Sequence, residues 1–342
     1  MTKRYLVTGG AGFIGCNYVH RLLGRGERVV VFDNLSRRGT EANVAWLREQ
    51  HGEDAFRLIE ADVRQPDALI GAARDADVVV HLAGQTAVTT SVADPRSDFE
   101  DNALGTFNVL EAARHANTNP IFLYASTNKV YGGMEDIVVV ERETRYAYRD
   151  LPDGISEVQP LDFHSPYGCS KGAGDQYVRD YARIYGLPTV VLRQSCIYGP
   201  RQMGVEDQGW IAWLIIAAVT GKPITIYGDG KQLRDVLFVD DLLDAYDAAV
   251  AHIDVAAGQV YNVGGGPPRT MSVWAEFKPL LERLMGRTVS VTTSDWRPGD
   301  QRVCVLDVRK ARRELGWQPQ VGVEEGIQRL YEWVVANQHL FA

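Results

Sequence analysis

Tyr167 and Lys171 stand four residues apart in a segment with helical patterning, a spacing that projects both side chains from one face. A lysine ammonium beside a phenol favours the phenolate and lowers a pKa that starts near ~10. Such a phenolate is a general base for a hydroxyl at neutral pH. Alone, the pair reads equally as two surface residues of a helix. Ser126-Thr127, directly after a strand-like run ending at Tyr124, changes the balance. Thr127 can hydrogen-bond the same hydroxyl and hold it while its proton leaves.

A second chemical signal is Gly9-Gly10-Ala11-Gly12-Phe13-Ile14-Gly15, between the first strand-like run and the first amphipathic segment. Glycines there let the backbone turn tightly and approach a pyrophosphate, and the helix amino terminus supplies N–H groups and positive potential. The spacing is GxxGxxG, not GxGxxG, and a bare glycine-rich stretch also fits a tight turn. Asp33 supplies the context, because it ends the second strand where an acidic residue would meet an adenosine ribose diol. It would repel a 2′-phosphate, so NAD is expected over NADP, although Arg37 and Arg38 could contact such a phosphate. The positive nicotinamide ring would also push Tyr167 toward the phenolate. Asp62-Val63, after the third strand, fits an adenine contact or a plain turn.

These groups need a scaffold that brings them together. Strand-like runs at 5–7, 28–32, 56–59, 77–82, 121–124 and 189–192 alternate with helical stretches that include 13–23, 97–115 and 167–185. Alternation of this kind predicts βαβ units and a parallel sheet. The unbroken apolar run Val78 to Leu82, with His81 inside it, fits a strand buried on both faces. After about residue 195 glycine and proline become frequent and the alternation weakens, which predicts a smaller second lobe. Length and composition, 342 residues with 45% hydrophobic and 23% charged, allow both.

The net charge of −8 argues against a nucleic-acid partner, which needs a basic face, while leaving room for a small anionic ligand. No apolar run approaches the ~20 residues of a membrane helix; the nearest, Trp210 to Val219, is half that. The strand–glycine motif begins within a few residues of Met1, so no secretory signal is expected. Cys16, Cys169, Cys196 and Cys304 are widely spaced, with no CxxC pair. Metal and disulfides are therefore not expected, and a reducing cytoplasm is. Cys169, two residues after Tyr167, is expected to pack inside rather than act as a nucleophile.

In this order, strand–GxxGxxG–helix, a terminal Asp, Ser-Thr-x-x-Val-Tyr-Gly and Tyr-x-x-x-Lys resemble the extended short-chain dehydrogenase/reductase family, from Tyr5 to about Trp333. The resemblance implies an α/β fold: a Rossmann-type doubly wound parallel sheet over 1–192 and a smaller nucleotide-sugar-binding domain over 193–342. Part of 236–262 would return to the first domain. It makes Thr127, Tyr167 and Lys171 the catalytic set. NAD would be held by Gly9, Gly12, Phe13, Ile14, Gly15, Asp33, Asn34, Ser36, Arg37, Asp62, Val63, Leu82, Ala83, Gly84, Gln85 and Asn102, with Tyr167 and Lys171.

Within the family, Asp33-Asn34-Leu35-Ser36-Arg37, Ser126-Thr127-Asn128-Lys129 and Asp207-Gln208-Gly209-Trp210 are most similar to epimerases that invert carbon 2 of a cytidine-linked deoxyhexose. The substrate would then meet Gln85, Thr127, Asn128, Lys129, Cys196, Gln208, Arg234, Arg297 and Asp300, the two arginines on its diphosphate and Asp300 on a ribose hydroxyl. Family 4,6-dehydratases carry Asp-Glu directly after the Thr as acid and base; here Asn128 and Lys129 stand there. The common 4-epimerase branch has Asn where this chain has Cys196. Those two branches are the alternatives. A homodimer or homotetramer is implied, paired through 97–115 and 167–185, where Phe107, Leu110, Tyr177 and Tyr181 look surplus to one sheet-facing stripe.

Overall fold

The computed structural model describes residues 2–297 and 300–341. The chain begins β1 (Arg4–Thr8), α1 (Phe13–Gly24), β2 (Arg28–Asp33), α2 (Thr40–His51), β3 (Arg57–Glu60), α3 (Pro66–Ala73) and β4 (Val78–His81). Next come α4 (Val88–Ala93), α5 (Pro95–Phe99), a π-helical turn (Glu100–Leu104), α6 (Gly105–Arg114), β5 (Ile121–Thr127) and a 3₁₀ turn (Asn128–Tyr131). The hairpin β6 (Val139–Glu141) and β7 (Tyr146–Tyr148) precedes α7 (Ser165–Tyr185), β8 (Thr189–Gln194), β9 (Cys196–Tyr198), α8 (Trp210–Thr220) and β10 (Thr225–Tyr227). The chain continues with β11 (Leu233–Phe238), α9 (Val239–Ala251), α10 (Ile253–Ala256), β12 (Gln259–Val263), β13 (Thr270–Ser272) and α11 (Phe277–Met285). Its last elements are β14 (Thr292–Ser294), β15 (Val303–Cys304), α12 (Arg309–Leu315) and α13 (Val323–Ala336).

Seven parallel strands form one sheet in the order β12-β8-β5-β4-β1-β2-β3. The order reverses direction between β1 and β4, and in open α/β sheets ligands bind outside the carboxyl ends of the strands at such a point. All four residues of β4 are buried, as a strand covered by helices on both faces requires. Thr8, the last residue of β1, is likewise buried; it pairs with His81 in register, and its hydroxyl lies 2.7 Å from His81 Nδ1.

The chain beyond β8 builds a smaller sheet around β11, flanked by β13, β15 and β9. β12 nonetheless pairs with β8 as the seventh strand of the large sheet. A core of apolar residues runs continuously under both, from Val7 and Val31 to Leu237 and Phe277.

Two sequence expectations are altered here. Leu110 and Tyr181 are buried within the chain, 0% and 5% exposed, so they are not surplus surface. Phe107 and Tyr177 do remain exposed and pack edge to face at 6.1 Å. Cys169 is exposed rather than packed, because it lies on the face of α7 turned away from the buried Gly168, Ser170 and Lys171.

Candidate active site

The carboxyl ends of β1, β4 and β5 and the first turns of α1 and α7 converge on one cleft. Gly9 has φ +68, and a Cβ on it would lie 2.7 Å from Ala83 N. A Cβ on Gly15 would meet Gly9 O at 2.2 Å. The loop can therefore be this tight only with glycine at both places. At Gly12 a Cβ would press on Gly9 O at 3.2 Å, and Gly12 lines the cavity beside the loop. Phe13 and Ile14 sit in the first turn of α1, whose N–H groups have no helical acceptor. A cavity of about 60 Å³ lies beside them, reached by Arg37, Arg38 and Arg201. Exposed N–H groups and cations around a glycine cradle fit a dinucleotide pyrophosphate.

Asp33 ties this loop to the end of β2: it accepts from Ala11 N at 3.0 Å and Leu35 N at 2.9 Å, and burial raises its pKa. Asn34 accepts from Ser36 Oγ at 2.7 Å and donates to Asp62 at 2.9 Å. Arg64 grips the same Asp62 carboxylate and holds its pKa at about 2. Val63 is buried, and its carbonyl accepts from Asn108. Leu82 N donates to Thr8 O, while Gln85 donates to Asp98 at 3.1 Å. Asn102 is 1% exposed, donating to Asp98 at 3.0 Å and Ser170 at 3.2 Å. Its Oδ1 is buried without a hydrogen-bond partner and lies where a Cβ of Gly84 would be, 2.4 Å away.

Thr127 ends β5, and Tyr167 and Lys171 lie on α7; the three are 9%, 8% and 8% exposed. Burial pushes the Tyr167 phenol up to about 12, while a hydrogen bond with Thr127 and the charge of Arg37 pull against it. This departs from the expectation that Lys171 lowers it. The Lys171 ammonium instead lies 4.3 Å over the centre of the Tyr124 ring. Burial brings Lys171 down to about 8, with Asp175 and Asp98 resisting. Arg37 reaches across the cleft, donating to Thr86 at 2.9 Å and to Gln208 at 2.9 Å.

A polar cluster joins the 3₁₀ turn after β5 to the smaller sheet at the same cleft. Lys129 Nζ donates to Gln301 at 3.3 Å, and Arg234 pairs with Asp300 at 2.7 Å. Burial and the charge of Arg234 depress the Lys129 pKa, with Asp300, Cys304 and Cys196 opposing. Asn128 donates to Cys304 Sγ at 3.1 Å. Arg297 pairs with Asp207 at 2.9 Å and stacks 3.9 Å from the Tyr227 ring centre. Pro298 and Gly299, between Arg297 and Asp300 in the chain, lie outside the described residues. Among the described residues no group of three or more His, Cys, Asp or Glu could hold a metal.

Sequence reading passed over several members of the site. Asp98 gathers Gln85, Asn102 and Ser170 on one carboxylate. Asp175 accepts from Ser126 at 2.7 Å and pairs with Arg193 at 2.9 Å, both members of the pair almost fully buried. Its position four residues after Lys171 was the available signal. Arg201 has φ +69 and stacks 3.5 Å from the Trp46 ring centre, which no local pattern marks.

Residues 5–264 match the model of the NAD dependent epimerase/dehydratase family. The chain belongs to that family. It is 44% identical over 337 residues to CDP-paratose 2-epimerase of Salmonella typhi, covering 96% of this chain and 98% of that protein. It is 36% identical to UDP-glucose 4-epimerase of Mycolicibacterium smegmatis, with 96% and 98% covered. Among solved structures, dTDP-glucose 4,6-dehydratase from Streptomyces venezuelae with NAD bound superposes with a TM-score of 0.84 at 30% identity, covering 98% of both chains. Family membership thus accounts for the glycine cradle and the α7 pair, while these relatives differ in which carbon they act on and whether water leaves.

Proposed function

We propose that the protein is a nucleotide-sugar epimerase that inverts carbon 2 of an NDP-hexose resembling CDP-paratose or CDP-tyvelose, by transient oxidation and re-reduction. The observation that carries this reading is the pair after Thr127. Asn128 is engaged with Cys304 and Lys129 with Gln301, so neither offers the carboxylates that dehydration uses. The similarity to the Salmonella enzyme favours carbon 2 over carbon 4.

Bound NAD would supply the two-electron acceptor, returned unchanged at the end of each cycle. Gly9, Gly12, Phe13, Ile14 and Gly15 would take its pyrophosphate and Asp33 its adenosine ribose, with Asn34, Ser36, Asp62, Val63 and the 82–85 segment around the adenosine and nicotinamide ends. Asn102 would act from behind, holding Gly84 and Ser170 in place. Tyr167 accepts the proton of the carbon-2 hydroxyl as the hydride leaves that carbon, Thr127 holds the hydroxyl, and Lys171 lends positive charge. The 2-keto sugar then presents its other face; hydride returns to carbon 2 and the Tyr167 proton to oxygen. Atoms and electrons balance without water. Arg234 and Arg297 would take the diphosphate and Asp300 the ribose, with Gln85, Cys196 and Gln208 lining the sugar.

We assign 1–192 to the cofactor domain and 193–342 to the substrate domain, with β12 contributing to the first. Four free cysteines fit a reducing cytoplasm. We further propose a homodimer through α6 and α7, alone or within a tetramer. A substrate deuterated at carbon 2 tests the chemistry: NMR should find the label retained on the inverted carbon, with a primary isotope effect. Solvent deuterium at that carbon would instead mean proton abstraction beside a carbonyl. Inversion at carbon 4 would move the protein to the 4-epimerases.

A further inference from the structure

A cavity of about 570 Å³ lies away from the cleft, between α7, the amino end of β12, α12 and the segment 156–158. None of the candidate active-site residues lines it. Five cations line it against two carboxylates, Glu157 and Asp307, an excess of three positive charges in a chain of net −8.

Most of these cations are already partnered. Arg193 is bidentate on Asp175. Arg309 pairs with Asp307 and Asp153 at 2.7 Å each. Arg313 pairs with Glu314 at 2.8 Å, and Lys310 donates to Gln259 and to Val260 O. Arg179 differs. Its Nε is buried without a hydrogen-bond partner, and among the described residues no carboxylate pairs with it. A half-buried guanidinium that faces the cavity without a carboxylate of its own, repelled by Arg183 and Arg193, is a charge waiting for an anion.

The lining also restricts what that anion is. No aromatic side chain lines the cavity among the described residues, so nothing there would stack a nucleobase. Glu157, fixed by Asn262 N at 2.8 Å, presents a carboxylate that accepts hydroxyls and repels a second phosphate. The volume suits a small metabolite. We propose that this cavity is a second ligand site, taking a non-aromatic phosphate monoester that carries hydroxyl groups, such as a hexose phosphate, with its phosphate on Arg179. The inference stands independently of which carbon the enzyme inverts.

Isothermal titration of the NAD-loaded protein with glucose 1-phosphate and with inorganic phosphate tests it. Glucose 1-phosphate should bind, and more tightly than phosphate. Arg179→Glu and the exposed-site variant Arg313→Glu should each weaken binding by roughly tenfold or more, with circular dichroism and bound NAD unchanged. Arg234→Gln, in the nucleotide-sugar cleft, should leave it intact. Equal affinity for the two probes would overturn the hydroxyl contact with Glu157. No binding at millimolar concentration, or loss in Arg234→Gln with retention in Arg179→Glu, would overturn the site itself.

Discussion

In the proposed chemistry Tyr167 would meet two demands that conflict, since it would have to be buried to exclude water yet ionised to take a proton. Burial carries its phenol to about 12, and Thr127 and Arg37 offset this only in part. The chain's own groups thus leave the phenol neutral near pH 7, and the cationic nicotinamide is what would tip it toward the phenolate. Tyr167→Phe should keep the ring's packing and the bound NAD, measured by absorbance, while reducing kcat by roughly a thousandfold or more. Lys171 shows the cost of such a site. Its pKa is about 8 against an ordinary 10.5, so between those values the folded protein binds fewer protons than the unfolded chain. Stability therefore rises with pH across that window, and the cost of the buried ammonium is full below pH 8. Lys171→Met should raise the unfolding free energy at pH 7 by about 1–3 kcal/mol, a gain that shrinks toward pH 10.5, while activity is lost. Thermal unfolding from pH 7 to 10.5 would show both. An unchanged pH slope in the variant would mean that Lys171 is well solvated. The proposed trio Thr127, Tyr167 and Lys171 was legible because Tyr167 and Lys171 keep helical spacing. The Arg37 link to Gln208 was not, because 171 residues of chain separate the partners.

At the scale of elements, six strands of the large sheet were legible because buried parallel strands such as β4 and β8 read as continuous apolar runs, while β12 was implied only by the resemblance. The smaller sheet was not legible. β11 collects β9, β13 and β15 from positions between 196 and 304, and strands of two or three residues carry no period of their own. The π-helical turn at Glu100–Leu104 was equally silent, although it holds Asn102. β4 also hides a titratable group. His81 is 1% exposed, between the Thr8 and Thr106 hydroxyls, and burial, with Lys171 nearby, lowers its pKa from 6.5 to about 3. The unfolded chain thus binds a proton between those values that the folded protein refuses, so stability is full above pH 6.5 and declines as pH falls toward 3. His81→Phe should cost about 1 kcal/mol at pH 7 through its two lost hydrogen bonds but flatten the slope between pH 4 and 6.5. Urea unfolding of both proteins across that range measures the difference, and parallel curves would place the acid sensitivity elsewhere.

For the whole molecule, the question is what covers the outer face of α4 to α7. Val92, Phe99, Phe107, Tyr177, Ile184 and Tyr185 are between 39% and 65% exposed there, and Phe107 already packs on Tyr177. In the proposed homodimer a face of this kind would meet its own copy across a two-fold axis, each α6 against the partner's α7. Exposed apolar and aromatic residues gathered on one face favour an interaction surface. The exposed Cys169, on the outer side of the same α7, has no task in the proposed chemistry. Light scattering of the wild-type protein should therefore give at least a dimer. Phe107→Asp combined with Tyr177→Asp should raise the dissociation constant by roughly a thousandfold and yield a folded monomer, with circular dichroism preserved. The monomer should still bind NAD, because Gly9 to Gly15 and Asp33 belong to the β1–α1 connection, α1 and β2 and not to the helices of the proposed interface. Its turnover should fall all the same, since Tyr167 and Lys171 ride on the helix that loses its partner. A wild-type protein that stays monomeric at all concentrations would refute the interface, and a dimeric double variant would move it to another face.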